Sequence, residues 1–185
     1  AGDAGGALGA ALYTWYQYLG NGRVVDGKRD LQKGSYLGPA FSSDEIKSFL
    51  DAQNVPYVEL SDDQLIERVA DLINDEKVIG WFNGRMEFGP RALGSRSIIG
   101  DARSPKMQEI MNLKIKFRES FRPFAPAVLE EKAAAYFDLT VPSPYMLLVA
   151  PVREHLRTAV DSGEEELFGL AKLHVVRSTI PAVTH

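Results

Sequence analysis

Three arginines stand inside one short turning stretch, GRMEFGPRALGSRS (Gly84–Ser97): Arg85, Arg91 and Arg96, with Glu87 as its one acid. No helix or strand period runs through it. Its glycines and Pro90 fix a bend and let backbone N–H groups approach a ligand closely. Arginine supplies a planar fork of donors that suits phosphate or carboxylate oxygens two at a time. A rigid bend carrying arginine is therefore a device for holding an anion. The competing reading is a structural turn in which Arg85 pairs with Glu87 and the other arginines are solvated. Arg91, held between Pro90 and Ala92, is the arginine expected to face an anion; Arg85 is expected to be spent on Glu87 and the turn.

A second basic stretch lies downstream, NLKIKFRESFRPF (Asn112–Phe124). Lys114, Lys116 and Arg118 alternate with Ile115 and Phe117. On a strand this alternation puts the three charges on one face and the two apolar residues on the core face. Three like charges so spaced repel one another unless an anion lies over them. A solvated edge strand, where lysines deter aggregation, explains the same pattern. Arg122, between Phe121 and Phe124 and just before Pro123, sits on a restricted backbone that a mere lysine edge does not need.

The charge totals single out the same region. The chain has 185 residues and a net charge of -4. From Arg85 to Arg122 nine Lys/Arg face four Asp/Glu, a balance of +5, whereas the other residues carry twelve against twenty-one, a balance of -9. An acidic body with one basic segment suggests a localised anion site rather than a generally basic surface. The basic segment has few aromatics free to stack bases, which argues against an RNA-binding module, although its charge is the feature that would favour one. Without cysteine the chain has neither disulfides nor thiolate metal sites, and a cytoplasmic setting fits. No apolar run approaches the length of a membrane span, and no signal peptide is legible. The opening at Ala1, on a Gly-rich turn without methionine, reads as a cut from something longer.

Elements that could position these residues follow from pattern and punctuation. A glycine turn feeds an Ala-rich helix over Gly6–Leu19, and the glycine-rich stretch over 21–39 reads as a linker. Ser42 with Glu45, and Ser61 with Gln64, are capping-box pairs. They predict helices over Ser43–Gln53 and from Ser61 to about Glu76, the second with Leu65, Val69, Leu72 and Ile73 on one face. KVIGWF, SRSIIGD, VPYVEL and YMLLVAPV read as strands, SPKMQEIMN and EEKAAAYF as helices, and RPFAPAV as extended chain. The 153–178 stretch reads as a long loop. Interleaved helices and strands give an α/β or α+β class. At 45% hydrophobic the chain can bury at least one full core.

Two lookalikes fall away. GRVVDGKR (Gly22–Arg29) departs from a P-loop because Arg29 replaces the required Ser/Thr and no apolar strand precedes it. His155, His174 and His185 have no metal-ligand spacing, and no Ser–His–Asp arrangement is legible. Asp3, in AGDAGGALG before the first helix, reads as a helix-start acid or a ligand.

GRMEFGPRALGSRSI, MNLKIKFRESFRPFAPAVL and IPAVTH closely resemble the nodulation-protein and antibiotic-biosynthesis O-carbamoyltransferases. AGDAGGALGAAL resembles the end of that family's N-terminal domain. The likeness weakens over 20–53 and 153–178. The resemblance implies a two-domain enzyme: an actin-like carbamoyl-transfer domain, of which residues 1–20 are a remnant, a linker over 21–39, and a YrdC-like domain over 40–185. The YrdC-like fold is a twisted, mostly open mixed sheet with flanking helices. It implies that ATP, with magnesium, and carbamoyl phosphate give carbamoyl adenylate. The carbamoyl group then passes to the hydroxyl of a small molecule or oligosaccharide beside a bound iron. Arg91, Lys116 and Arg122 are carried over as the catalytic trio, with Lys114, Arg118, Arg96 and Ser97 as neighbours that bind the nucleotide or donor. Asp3 matches a metal-ligand aspartate whose partner histidines are absent, so a complete iron site is not expected. The family continues beyond PAVTH with residues that complete the nucleotide site. Arg177 has no motif to replace them, so an inactive structural or regulatory fragment is the further alternative.

Overall fold

The structure is a computed structural model. It describes residues 2–25, 27–28 and 30–183, and for 2–4 and 162 the backbone alone. The element order mixes helix and strand, as the interleaved patterns require: α1 (Gly2–Tyr13), α2 (Ser43–Ala52), α3 (Asp62–Asn74), β1 (Ile79–Phe82), β2 (Arg96–Ile99), α4 (Met107–Ile110), α5 (Ala133–Tyr136) and α6 (Ser162–Glu165), with short 3-10 and π turns between. β1 and β2 pair into a two-stranded sheet. The chain divides into two compact units. The first holds 1–58, 81–97 and 143–148; the second holds 59–80, 98–142 and 149–185.

The capping pairs act as their residue types dictate. Ser42 Oγ accepts from the Glu45 N–H while the Glu45 carboxylate accepts from the Ser42 N–H at 2.7 Å. Ser61 and Gln64 do the same at the start of α3, with Ser61 N–H to Gln64 Oε1 at 3.1 Å. Each box satisfies two of the N–H groups that a helix start leaves without partners. Ser61→Ala should therefore lower unfolding free energy by about 1 kcal/mol in urea titration. Retention of full stability would mean that α3 is held by its packing alone.

In the second unit a small core forms where α4 meets the chain's far end. Met107, Met111 and Ala182 are buried, and Val78 and Phe124 pack against them. The Ala182 N–H donates to the Ala102 carbonyl, which ties the 3-10 turn Pro181–Val183 to the loop before α4.

Three expected strands are not formed. VPYVEL has no ladder partner among the described residues, and YMLLVAPV contributes one isolated bridge, Val152 with Phe137. The third, KIKFR, is helical at its start: α4 runs on as a π turn, Met111–Ile115, with Lys116 at its C-cap. The Lys116 N–H donates to the Met111 carbonyl five residues back, at 3.0 Å. Phe117 then takes a left-handed φ of 48° and ends the helix. The 153–178 stretch holds α6, two 3-10 turns over Glu154–Leu156 and Gly169–His174, and an isolated bridge from Arg157 to Ser178.

Candidate anion-binding site

The Gly84–Ser97 bend, in the first unit, is fastened by its own charges. Glu87 is 5% exposed, and a buried carboxylate must find donors. Its Oε1 accepts three backbone N–H groups: Leu93 at 2.7 Å, Ser95 at 2.7 Å and Arg96 at 3.2 Å. Arg96 does the complementary work. Its guanidinium donates to the carbonyls of Asn83 at 2.9 Å, Gly84 at 3.2 Å and Ser95 at 2.9 Å, and its Cζ lies 3.5 Å over the Phe82 ring. A carboxylate collects the bend's amides and a guanidinium collects its carbonyls.

Arg85 does not pair with Glu87, contrary to the sequence reading. Its Nη1 donates to the Gly38 carbonyl at 2.6 Å. Two adjacent segments explain the choice. Residues 35–39 run beside 85–88, with Gly38 N–H to Met86 O at 2.9 Å, Met86 N–H to Pro39 O at 2.9 Å and Phe88 N–H to Ser35 O at 2.6 Å. That puts a carbonyl within reach of Arg85, while Glu87 faces inward to the amides. The Tyr36 hydroxyl donates to the Leu93 carbonyl at 2.5 Å, and the Gly94 N–H to Ser97 Oγ at 3.1 Å. Gly89 and Gly94 each have φ near 111°, a backbone that a side chain rarely tolerates, and they bracket Pro90–Leu93.

Of the bend's charged side chains, Arg91 alone has a guanidinium without a hydrogen bond or ion pair among the described residues. It lines a cavity of about 160 Å³ with Gln32, Ser35, Leu93, Tyr145 and Leu8. Gln32 donates to Ser35 Oγ at 2.6 Å, and the Tyr145 hydroxyl donates to the Asp30 carboxylate. That hydrogen bond, with the Gly34 and Gln32 amides, holds the Asp30 carboxyl below its ordinary value. Burial and Asp30 push the Tyr145 hydroxyl up.

Burial pushes the Glu87 carboxyl up, but the Ser95 and Leu93 amides, its own N–H and the Arg96 amide outweigh it and hold it below its ordinary value of 4.5. A carboxyl depressed by folding contributes stability in full above its unfolded value, and that contribution is lost as the pH falls through the folded one. Urea titrations from pH 7 downward should show wild type losing stability below pH 4.5 more steeply than Glu87→Gln. Equal slopes would mean that folding leaves the proton affinity of the Glu87 carboxyl unchanged.

Lys114, Lys116, Arg118 and Arg122 belong to the second unit, Arg91, Arg96 and Ser97 to the first. Asn112, with no exposed surface, organises the second set. Its Nδ2 donates to the carbonyls of Ser120 at 3.0 Å and Arg122 at 2.8 Å, and its Oδ1 accepts from Arg118 Nε at 2.6 Å. Gln108 adds a second donor to the Arg122 carbonyl at 3.2 Å. Arg118 also lies 4.8 Å over the Phe124 ring. Lys114 and Lys116 are exposed, and their ammonium groups have no partner among the described residues. Arg122 is exposed too and pairs with Glu119 at 3.1 Å, a surface contact that an anion can displace at small cost. The Glu119 carboxyl is held down by its own backbone N–H and by Arg122.

The Asp3 side chain lies outside the described residues. Among those described, no three His, Asp or Glu side chains come close enough to hold a metal ion. No helix among the described residues is long and apolar enough to cross a membrane.

The carbamoyltransferase C-terminus family model matches residues 70–185. The chain is 58% identical over its whole length to the uncharacterised protein sll1178 of Synechocystis, of which it spans 30%. It is 40% identical over 96% of its length to nodulation protein NolNO of Sinorhizobium fredii, spanning 26% of it. It is 38% identical over 97% of its length to nodulation protein NolO of Bradyrhizobium diazoefficiens, spanning 33%. The chain thus covers a third or less of these relatives. Arg91, Lys116 and Arg122 all fall inside the matched C-terminal region, and the chain belongs to the carbamoyltransferase family.

Proposed function

We propose that the chain binds carbamoyl phosphate and ATP with magnesium and forms carbamoyl adenylate, whose carbamoyl group passes to a substrate hydroxyl. The observation that carries this reading is Arg91, the charged group that the bend leaves uncommitted, at a cavity in a chain of this family. Both substrates are polyanions, and their charges must be neutralised before a bond changes. Atoms balance if carbamoyl phosphate gives up its phosphate as inorganic phosphate, with one water consumed. A carbamate oxygen then attacks the α-phosphorus of ATP and pyrophosphate departs.

In this reading Arg91 and Arg122 grip phosphate or carbamoyl oxygens by forked hydrogen bonds, Arg122 exchanging Glu119 for the anion. Lys116 acts as a point charge near the transferring phosphoryl group, and Lys114 is its exposed neighbour. Arg96, Ser97 and Arg118 support these groups by holding backbone. By this proposal residues 1–20 belong to an actin-like transfer domain and 40–185 to the YrdC-like one, joined by a linker over 21–39. The acceptor is a small molecule or oligosaccharide hydroxyl.

Calorimetric titration of the chain with carbamoyl phosphate tests the binding step. Saturable heat that persists in Arg91→Ala with clearly weaker affinity is expected. Saturable heat that Arg91→Ala leaves unchanged would remove Arg91 from the site, and absence of heat in wild type would contradict donor binding by this chain.

A further inference from the structure

Arg91 has no side-chain partner among the described residues, so something else must decide where it stands. Pro90 sets one backbone angle of the bend. Before the arginine, Met86 and Phe88 are held by backbone bonds to Pro39 and Ser35; after it, the restraints act on residues 93–96. Leu93, Ser95 and Arg96 give their N–H groups to one oxygen, Glu87 Oε1, and Leu93 gives its carbonyl to Tyr36. Those amides belong to a bend with glycines at both ends, and without the carboxylate their only alternative is water. The carboxylate is buried and has no ion pair among the described residues, so backbone amides are what hold it. A buried charge kept for amides alone is a costly way to build a turn that an uncharged asparagine or serine could cap.

We propose that Glu87 is the positioning residue for Arg91: its carboxylate closes the 87–96 bend and so fixes the guanidinium at the cavity. The proposal rests on the reading that Arg91 holds the anionic donor. Glu87 touches no substrate; it acts through the arginine. The choice of glutamate follows, because a charged acceptor binds three amides more tightly than a neutral one of the same shape. Arg96 closes the same bend from the carbonyl side, and both halves are needed to keep Pro90–Leu93 from opening about Gly89 and Gly94.

The test is a double-mutant cycle on the full chain with carbamoyl phosphate as the probe. Glu87→Gln should weaken binding roughly 10-fold when Arg91 is present, the scale expected from a slightly misplaced binding group. In the Arg91→Ala background the same substitution should change affinity less than about two-fold, because coupled residues are not additive. Equal losses in both backgrounds would overturn the proposal, since a merely structural role does not need Arg91.

A second readout is independent of the ligand. In nitrogen-15 spectra of the wild-type chain, the Leu93, Ser95 and Arg96 amides should shift together on acidification, and the Arg91 Nε–H signal should move or broaden with them. An Arg91 signal that ignores that transition overturns the positioning role, even if Glu87→Gln fails to fold. If Arg91→Ala leaves donor affinity unchanged, the anion reading falls, and these spectra alone decide whether Glu87 positions the arginine.

Discussion

Replacing Lys116 with alanine is expected to slow carbamoyl-adenylate formation by about 10²–10³-fold at saturating substrates, the cost of removing one preorganised charge from a transition state. The structure supports this expectation in three ways. The ammonium is exposed and has no partner among the described residues. Its backbone is fixed as the C-cap of a π turn, through the bond to Met111. π turns inside helices recur at functional sites, because they offset the side chains that follow. The loss should appear in turnover more than in KM, since a point charge near the transferring group strengthens as charge develops there. Lys116→Arg should recover part of the rate, because the charge is kept but its shape is not. A Lys116→Ala enzyme with unchanged turnover and a raised KM would make Lys116 a ground-state binding residue.

The second large effect is structural. Asn112→Ala removes two donors and one acceptor from a site with no exposed surface. Leaving buried polar partners unsatisfied costs about 1–3 kcal/mol, and a loss within that range is expected here, because the Ser120 carbonyl and Arg118 Nε lose their bonds to Asn112 while the Arg122 carbonyl keeps Gln108. Asn112→Asp keeps the shape and the contact to Arg118, yet turns a carboxylate oxygen toward the carbonyls of Ser120 and Arg122. It should therefore destabilise as much as alanine does at neutral pH. Urea unfolding measures both. An aspartate variant as stable as wild type would show that Asn112 holds Arg118 and not the loop. Because Arg122 follows that loop, both variants should also weaken donor binding.

The sequence was most legible where rules are local. Ser42 with Glu45 and Ser61 with Gln64 mark helix starts through bonds that span three residues, and both boxes form. KVIGWF and SRSIIGD paired into β1 and β2. KIKFR misled because alternation is a strand signal only when a neighbouring strand is available. Here the preceding helix propagates into it, and buried Asn112 decides the path of the chain after it. Glu87 was misassigned for a related reason. Proximity in sequence suggested Arg85, but a bend rich in glycine leaves backbone amides to satisfy, and burial gave those amides the stronger claim. The usable signal was present: one acid amid a segment whose N–H groups have no helix or strand to join. Arg91 was singled out by its place between Pro90 and Ala92 and by the family resemblance, whereas the carbonyls that engage Arg85 and Arg96 had no sequence signal.

The central claim is that this chain activates a carbamoyl group with ATP. It is tested most directly by pyrophosphate release from ATP, measured with and without carbamoyl phosphate, with the chain supplied in a protein of its relatives' full length. Release that depends on carbamoyl phosphate, and that is lost in Arg91→Ala, Lys116→Ala and Arg122→Ala, is the predicted result. Release that proceeds equally without carbamoyl phosphate, or that survives all three substitutions, would contradict it.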